Sequence, residues 1–217
     1  MAEKPIMNYY PININVTGKT CLVVGGGTVA LHKVISLLAN GALVDVVSET
    51  FTKEFKKLRN KKNINLLYKS FDQAILFQKK YCLVFAATDN YQLHQTISSL
   101  CTEHNILCNV VDDPQLCNFI VPAVLIRGPV TVSVSTAGAS PYLAKIIRDK
   151  IGEHIGKNYG MLAIYLKSLR PVVKDRYPSQ SKRKYFWDKF FALDPLNIVE
   201  TSGIADLETK AKRLLDE

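Results

Sequence analysis

Three glycines placed between an apolar run and a helix-compatible segment constrain this chain more than any other stretch. Cys21-Leu22-Val23-Val24 leads into Gly25-Gly26-Gly27, and Thr28 to Leu38 follows with Val34, Leu37 and Leu38 at helical spacing. The order reads strand, tight turn, helix. Such a turn lets main-chain N–H groups approach a pyrophosphate, and the helix N-terminus adds a favourable dipole. Gly25-x-Gly27-x-x-Ala30 fits the dinucleotide fingerprint, with alanine in the third position. Gly18-Lys19-Thr20 does not make a competing P-loop. Asn13 stands where the upstream glycine is required, and no helix follows directly.

The strand–helix alternation continues. Ala42 to Val47 reads as a second strand, closed by Ser48-Glu49-Thr50. Thr52 to Arg59 reads as a basic helix, Asn65 to Tyr68 as a short strand, and Phe71 to Leu76 as a brief helix. Tyr81 to Ala87 and Ile106 to Val111 are further apolar strands, with a helix from Asn90 to Glu103 between them. Short connections between such units imply a Rossmann-type, doubly wound parallel α/β sheet with helices on both faces. The pattern changes after residue 113. Phe119–Ile126 and Val130–Ser135 flank Arg127-Gly128-Pro129, which predicts a hairpin. Ser140-Pro141 opens a helix through Ile151, serine as N-cap and proline at N1. Asn158 to Glu217 reads as helical and basic, with breaks near Pro171 and Pro178-Ser179-Gln180-Ser181.

Charge and composition limit the function classes. The 217 residues carry a formal charge of +9, which suits nucleic acid, a membrane surface or a small polyanion. The Lys53–Lys62 cluster lacks the interleaved aromatics of a stacking platform, and it reads as a solvated helix face. No apolar run is long enough to span a bilayer, and Met1-Ala2-Glu3-Lys4-Pro5 has no signal pattern. The expectation is a cytoplasmic protein. Five cysteines, Cys21, Cys82, Cys101, Cys108 and Cys117, form no Cys-x-x-Cys pair and read as reduced thiols. His32, His94, His104 and His154 show no metal-ligand spacing, so no resident metal is expected.

Ligands of such sheets lie outside the carboxyl ends of the strands. Those ends carry Gly25, Gly26, Gly27, Thr28 and Val29; Ser48, Glu49 and Thr50; Ala87, Thr88 and Asp89; and Asp112 with Asp113. The first three groups are the expected cofactor-binding residues. An acid after the second strand takes ribose hydroxyls and disfavours a 2′-phosphate, so Glu49 favours NAD over NADP; a solvated loop residue is the competing reading. Asp45 has the nominal spacing from the glycines but lies mid-strand. Asp112 follows Cys108-Asn109-Val110-Val111. It reads either as a general base beside the nicotinamide or as a turn-former before Pro114. Asp113 competes for the first role.

The chain resembles the precorrin-2 dehydrogenase / sirohydrochlorin ferrochelatase family, the N-terminal module of sirohaem synthases and its stand-alone relatives. The resemblance is carried by Val23-Val24-Gly25-Gly26-Gly27-x-Val29-Ala30-x-x-Lys33, Phe85-Ala86-Ala87-Thr88-Asp89, Cys108-Asn109-Val110-Val111-Asp112, Phe119-Ile120-Val121-Pro122-Ala123, Val134-Ser135-Thr136-Ala137-Gly138-Ala139-Ser140-Pro141 and a late Arg183-Lys184-x-Phe186-Trp187-x-Lys189-Phe190-Phe191. It implies NAD-dependent oxidation of precorrin-2 to sirohydrochlorin in sirohaem (porphyrin-type tetrapyrrole) biosynthesis. In some members it also implies insertion of ferrous iron or cobalt, a lyase activity. It implies that Asp112 acts in dehydrogenation and has been implicated in chelation. Thr136 stands where some relatives have serine. A homodimer is implied, with residues 1–113 as the NAD-binding domain, 114–150 as the dimerisation region and 151–217 as a helical C-terminal domain. Relatives that complete the pathway carry a further methyltransferase module, so synthesis of precorrin-2 is not expected here. A charge of +9 suits a substrate with several carboxylates, for which Arg127, Lys145 and Arg148 are candidate partners. The alternatives are a non-catalytic NAD-binding regulatory module, since fold alone does not fix function, and a nucleic-acid binder, for which no base-reading module is recognisable.

Overall fold

The structure, a computed structural model, describes residues 9–216; the reading of Met1 to Pro5 falls outside them. The chain divides after Val121 into two compact units.

In the first unit five parallel strands lie in the order β3-β2-β1-β4-β5. They are β1 (Thr20–Val24), β2 (Leu43–Ser48), β3 (Ile64–Tyr68), β4 (Leu83–Ala86) and β5 (Leu107–Val110). Three helices connect them: α1 (Thr28–Ala39), the single turn α2 (Ile75–Gln78) and α3 (Tyr91–Glu103). Apolar residues fill both sheet faces, which is why β1 and β4 read as continuous hydrophobic runs. Cys21, Val23, Val44, Val46 and Phe85 pack under α1, against Ala30, Val34 and Leu37. Leu22, Val24, Val84 and Val110 pack on the other face, against Ile75, Ile97 and Cys101. Burying roughly five such side chains per face contributes about 1.5–3 kcal/mol each before conformational entropy is charged. β1 pairs with β2 on one side and β4 on the other. The crossover direction therefore reverses at β1, and the ligand crevice of such sheets opens there.

Two local expectations are corrected in this unit. The basic segment after β2 forms only a 3-10 turn, Lys53–Leu58. Buried Phe55 and Leu58 hold one side of it while lysines crowd the other, and repulsion between like charges gives no support to further turns. The helix expected over Phe71 to Leu76 forms at Ile75–Gln78 instead, because Asp72 Oδ1 accepts the Ala74 N–H at 2.7 Å and fixes a turn first.

The second unit begins with an antiparallel hairpin, β6 (Ala123–Arg127) and β7 (Val130–Val134), paired from Arg127↔Val130 to Ala123↔Val134. Gly128 takes φ +58° at the first central position of the two-residue turn, a conformation L-residues resist. Helix α4 (Pro141–His154) follows, capped by Ser140 Oγ, which accepts the Leu143 N–H. Four further helices complete the unit: α5 (Lys157–Arg176), α6 (Gln180–Ala192), α7 (Pro195–Thr201) and α8 (Ile204–Asp216). Their core holds Leu169, Val173, Phe186, Phe190 and Leu207. The break expected at Pro171 is absent, since α5 runs through it. Pro171 faces solvent while Leu169 and Val173 are buried on either side, so packing offsets the lost main-chain hydrogen bond. Gly160 of α5 sits on the hairpin turn; a Cβ there would meet the Arg127 carbonyl oxygen at 2.5 Å.

Candidate active site

The glycine turn is locked to the exit of β2. Gly25 N–H donates to the Val47 carbonyl at 2.9 Å and Thr52 N–H to the Gly26 carbonyl at 3.0 Å. Ser48 Oγ donates to the Thr50 carbonyl at 2.7 Å, holding the next corner. A Cβ at Gly25 would lie 2.1 Å from the Ala87 carbonyl oxygen, and one at Gly26 2.0 Å from that of Thr50. Only glycine fits either place. Gly27 differs, because a Cβ there meets nothing within 4 Å. It is the N-cap of α1, with no side-chain acceptor for the first-turn N–H groups. The open volume and the uncapped donors coincide, as an anion site at a helix N-terminus requires.

That volume belongs to a cavity of about 910 Å³. Gly25, Gly26, Gly27, Thr28, Val29, Ser48, Thr50, Ala87, Thr88, Asp89 and Asp112 all line it. Glu49 is not among the lining residues; it is exposed, and the Ser70 hydroxyl donates to it. Asp45 lies away from the cavity, inside the sheet. Phe51, Thr52, Tyr91 and His94 line the cavity as well, and no sequence motif pointed to them. Tyr91 and His94 could have been found from Asn90, whose side chain accepts the Leu93 N–H at 3.1 Å as N-cap of α3. That cap starts the helix where both residues fall in its first turns. Thr52 Oγ1 is the one buried side-chain polar atom among the described residues with no partner. An orphaned hydroxyl costs about 1–3 kcal/mol, and a dinucleotide's ribose or phosphate oxygens would satisfy it. The glycine cradle, the uncapped helix and this orphan together fit a dinucleotide.

At the far wall, Asp112 is exposed with φ +60°, a conformation aspartate tolerates better than most residues. Asp113 lines the cavity beside it, with its Oδ1 accepting the Gln115 N–H at 3.1 Å. The loop is tied down from behind. Cys117 Sγ lies 3.1 Å from Val110 N, 3.2 Å from the Val110 carbonyl oxygen and 3.2 Å from that of Asp113. Asn109 Nδ2 donates to the Phe119 carbonyl at 3.1 Å. Lys33 is half-buried, with Nζ 5.7 Å from the centre of the Phe85 ring. Burial pushes its ammonium pKa down, while Cys117 and Asp112 pull it back up. Lys33, which is not itself a lining residue of the cavity, and Asp112 therefore attract each other. Among the described residues no cluster of three or more His, Cys, Asp or Glu side chains could hold a metal ion.

In the second unit, the candidate carboxylate binders are mostly occupied. Arg127 Nε donates to the Ile155 carbonyl at 2.9 Å and Arg148 pairs with Asp149 at 2.5 Å; Lys145 is exposed. Thr136 Oγ1 donates to the Ser140 carbonyl and accepts the Ser140 N–H, both at 3.0 Å, bracing the start of α4.

Residues 12–123, more than half of the 217, match the family model described as putative NAD(P)-binding. Residues 127–154 match sirohaem biosynthesis protein central, and 158–215 match sirohaem synthase dimerisation region. The siroheme synthase of Thioalkalivibrio sulfidiphilus is 40% identical over 210 residues, covering 96% of this chain and 42% of that protein. That of Ruthia magnifica is 38% identical over 186 residues, covering 86% and 39%. The chain thus spans about two fifths of the length of these relatives. Among solved structures, "SirC, precorrin-2 dehydrogenase" aligns with TM-score 0.72 and 22% identity, over 96% of this chain and all of that one.

Proposed function

The chain belongs to the putative NAD(P)-binding family, and we propose that it oxidises precorrin-2 to sirohydrochlorin with NAD in sirohaem biosynthesis. The observation that carries the reading is one cavity holding both the glycine cradle and Asp112. Similarity to siroheme synthases and to a precorrin-2 dehydrogenase supports the choice of substrate.

The oxidation removes a hydride and a proton from the macrocycle. Bound NAD supplies the hydride acceptor. The Gly25–Gly27 main chain and the α1 N-terminus hold its pyrophosphate, and Thr28, Val29, Ser48, Thr50, Ala87, Thr88 and Asp89 shape the rest of its seat. Glu49 lies outside the cavity lining; from the loop between Ser48 and Thr50 its carboxylate would take the ribose hydroxyls of an adenosine extending past that edge and repel a 2′-phosphate, which favours NAD. Asp112 accepts the proton on a carboxylate oxygen, in a general-base role.

The proposal extends to metal insertion, with ferrous iron or cobalt as substrate. Two pyrrole N–H protons must leave as the metal ion enters, and in this reading the Asp112 carboxylate accepts them one at a time, passing the first to solvent before the second is taken. Assembly is part of the same reading. Residues 114–150 and the helices of 151–217 carry the homodimer contacts, supported by the description of the model over 158–215 and by exposed Ile126, Tyr142, Leu143 and Ile146. A second copy would cover these exposed apolar side chains of the hairpin and α4. No described helix is long and apolar enough to cross a membrane; with five free thiols, the reading places the chain in the reducing cytoplasm.

The test is an anaerobic assay with precorrin-2 and NAD, followed by absorbance to sirohydrochlorin and then by addition of ferrous iron or cobalt. Asp112→Asn keeps the backbone conformation and removes the base. Its rate should fall by about 10²-fold or more with NAD affinity unchanged. NAD binding without turnover by the wild-type chain would instead favour the regulatory-module reading.

A further inference from the structure

We propose that His94 is a positioning residue of the nucleotide site, holding the β4–α3 loop through an unprotonated Nε2. The inference rests on the reading of the cavity as the NAD site.

His94 is 6% exposed, yet its residue lines the cavity. Nε2 lies 3.2 Å from the Thr88 main-chain nitrogen and 3.1 Å from Thr88 Oγ1. An amide nitrogen can only donate, so Nε2 must present its lone pair. Asn90 N–H donates to Thr88 Oγ1 at 3.3 Å, which leaves the hydroxyl proton free to point at Nε2 as well. The ring is therefore neutral, with its proton on Nδ1. A cationic ring would set N–H against N–H and strand the Thr88 amide.

The loop so held is not a distant one. Ala87 carries the carbonyl that fills the space behind Gly25, and Thr88 Cγ2 would lie 3.5 Å from a Cβ there. Thr88 and Asp89 share the cavity wall. A shift of Thr88 therefore changes the width of the slot beside the glycine turn. Asn90 fixes the loop from the helix side as N-cap; His94, one turn further along α3, fixes it from beneath. A leucine at 94 keeps the bulk but offers no acceptor. A glutamine places an amide oxygen near the position of Nε2 and restores one.

The experiment compares full-length wild type, His94→Leu and His94→Gln for NAD binding by calorimetry and for steady-state NAD kinetics. His94→Leu should raise the NAD KM and Kd about 10-fold, with kcat at saturating NAD within a few-fold of wild type. His94→Gln should recover most of that loss. Unchanged affinity in His94→Leu, no recovery in His94→Gln, or an equal fall in kcat would each overturn the inference. Nitrogen-15 NMR of the wild-type imidazoles provides a readout that needs no variant to fold. A neutral ring protonated at Nδ1 is expected for His94, and a proton on Nε2 at neutral pH overturns the assignment. Failure of the wild type to bind NAD would overturn the cavity reading and this inference with it. Wild-type binding beside an unaffected His94→Leu would overturn the inference alone.

Discussion

Tyr81 donates its hydroxyl to Asp45 Oδ2 at 2.9 Å, and Lys79 Nζ reaches the same oxygen at 2.6 Å. Asn65 Nδ2 donates to the other carboxylate oxygen at 3.3 Å. Asp45 is 4% exposed, and these partners satisfy it inside the sheet. The acid with the nominal ribose spacing is thus a structural group. Burial, and then the bond to Asp45, push the Tyr81 phenol well above its usual range. A raised acid pKa adds stability that is present below the unfolded value, about 10, and lost above it. Tyr81→Phe should cost about 1–3 kcal/mol at pH 7, and the gap to wild type should shrink above pH 10. Urea midpoints measured across that range check both statements.

The three glycines should respond differently to alanine. At Gly25 and Gly26 the new Cβ meets main-chain oxygens, and Gly25 also holds φ +129°. Each variant should lose about 1–3 kcal/mol of stability together with NAD binding. Gly27 has φ −85° and open space in front. Gly27→Ala should cost no more than about 1 kcal/mol, for a weaker cap, while its methyl group intrudes on the pyrophosphate and weakens NAD by about 10-fold or more. Thermal melts and calorimetry on the three variants separate fold from ligand.

Cys21 gives an alkaline signature. Burial first, then the neighbouring Cys82, push its thiol up to about 11. The native state keeps that proton over pH 9 to 11 while the unfolded chain releases it, so stability falls as pH rises through this window. The loss should reach about 1 kcal/mol by pH 10, and Cys21→Ala should flatten the slope between pH 9 and 10. Denaturation series at fixed pH values test it.

How much of this was legible in the sequence depended on whether local chemistry alone decided the outcome. β1, β2, β4 and β5 were readable because both sheet faces are buried, which leaves uninterrupted apolar runs. The hairpin was readable from Gly128-Pro129. Pro171 was misread because its local signal, a missing N–H, is outweighed by the packing of Leu169 and Val173, which no window around the proline reveals. The cavity residues after β1, β2 and β4 followed from where strands end. Thr52 did not, since its orphaned hydroxyl exists only once the turn closes over it. Nor did the contact of Ser70 with Glu49, which joins loops 21 positions apart.

The seat of α5 on the hairpin turn has a consequence for the substitutions this unit can accept. Gly160 touches the Arg127 carbonyl, and a Cβ at Gly128 would lie 3.4 Å from the Gly160 Cα. Main chain rests on main chain, with no rotamer available to absorb an intrusion. The opposite face of α5 is fixed by Leu169 and Val173 in the helical core. A side chain at 160 can be admitted only if the turn, the helix and that core shift together. The position is therefore closed to stepwise change: a descendant sequence could leave glycine only through several simultaneous replacements, none of them advantageous alone.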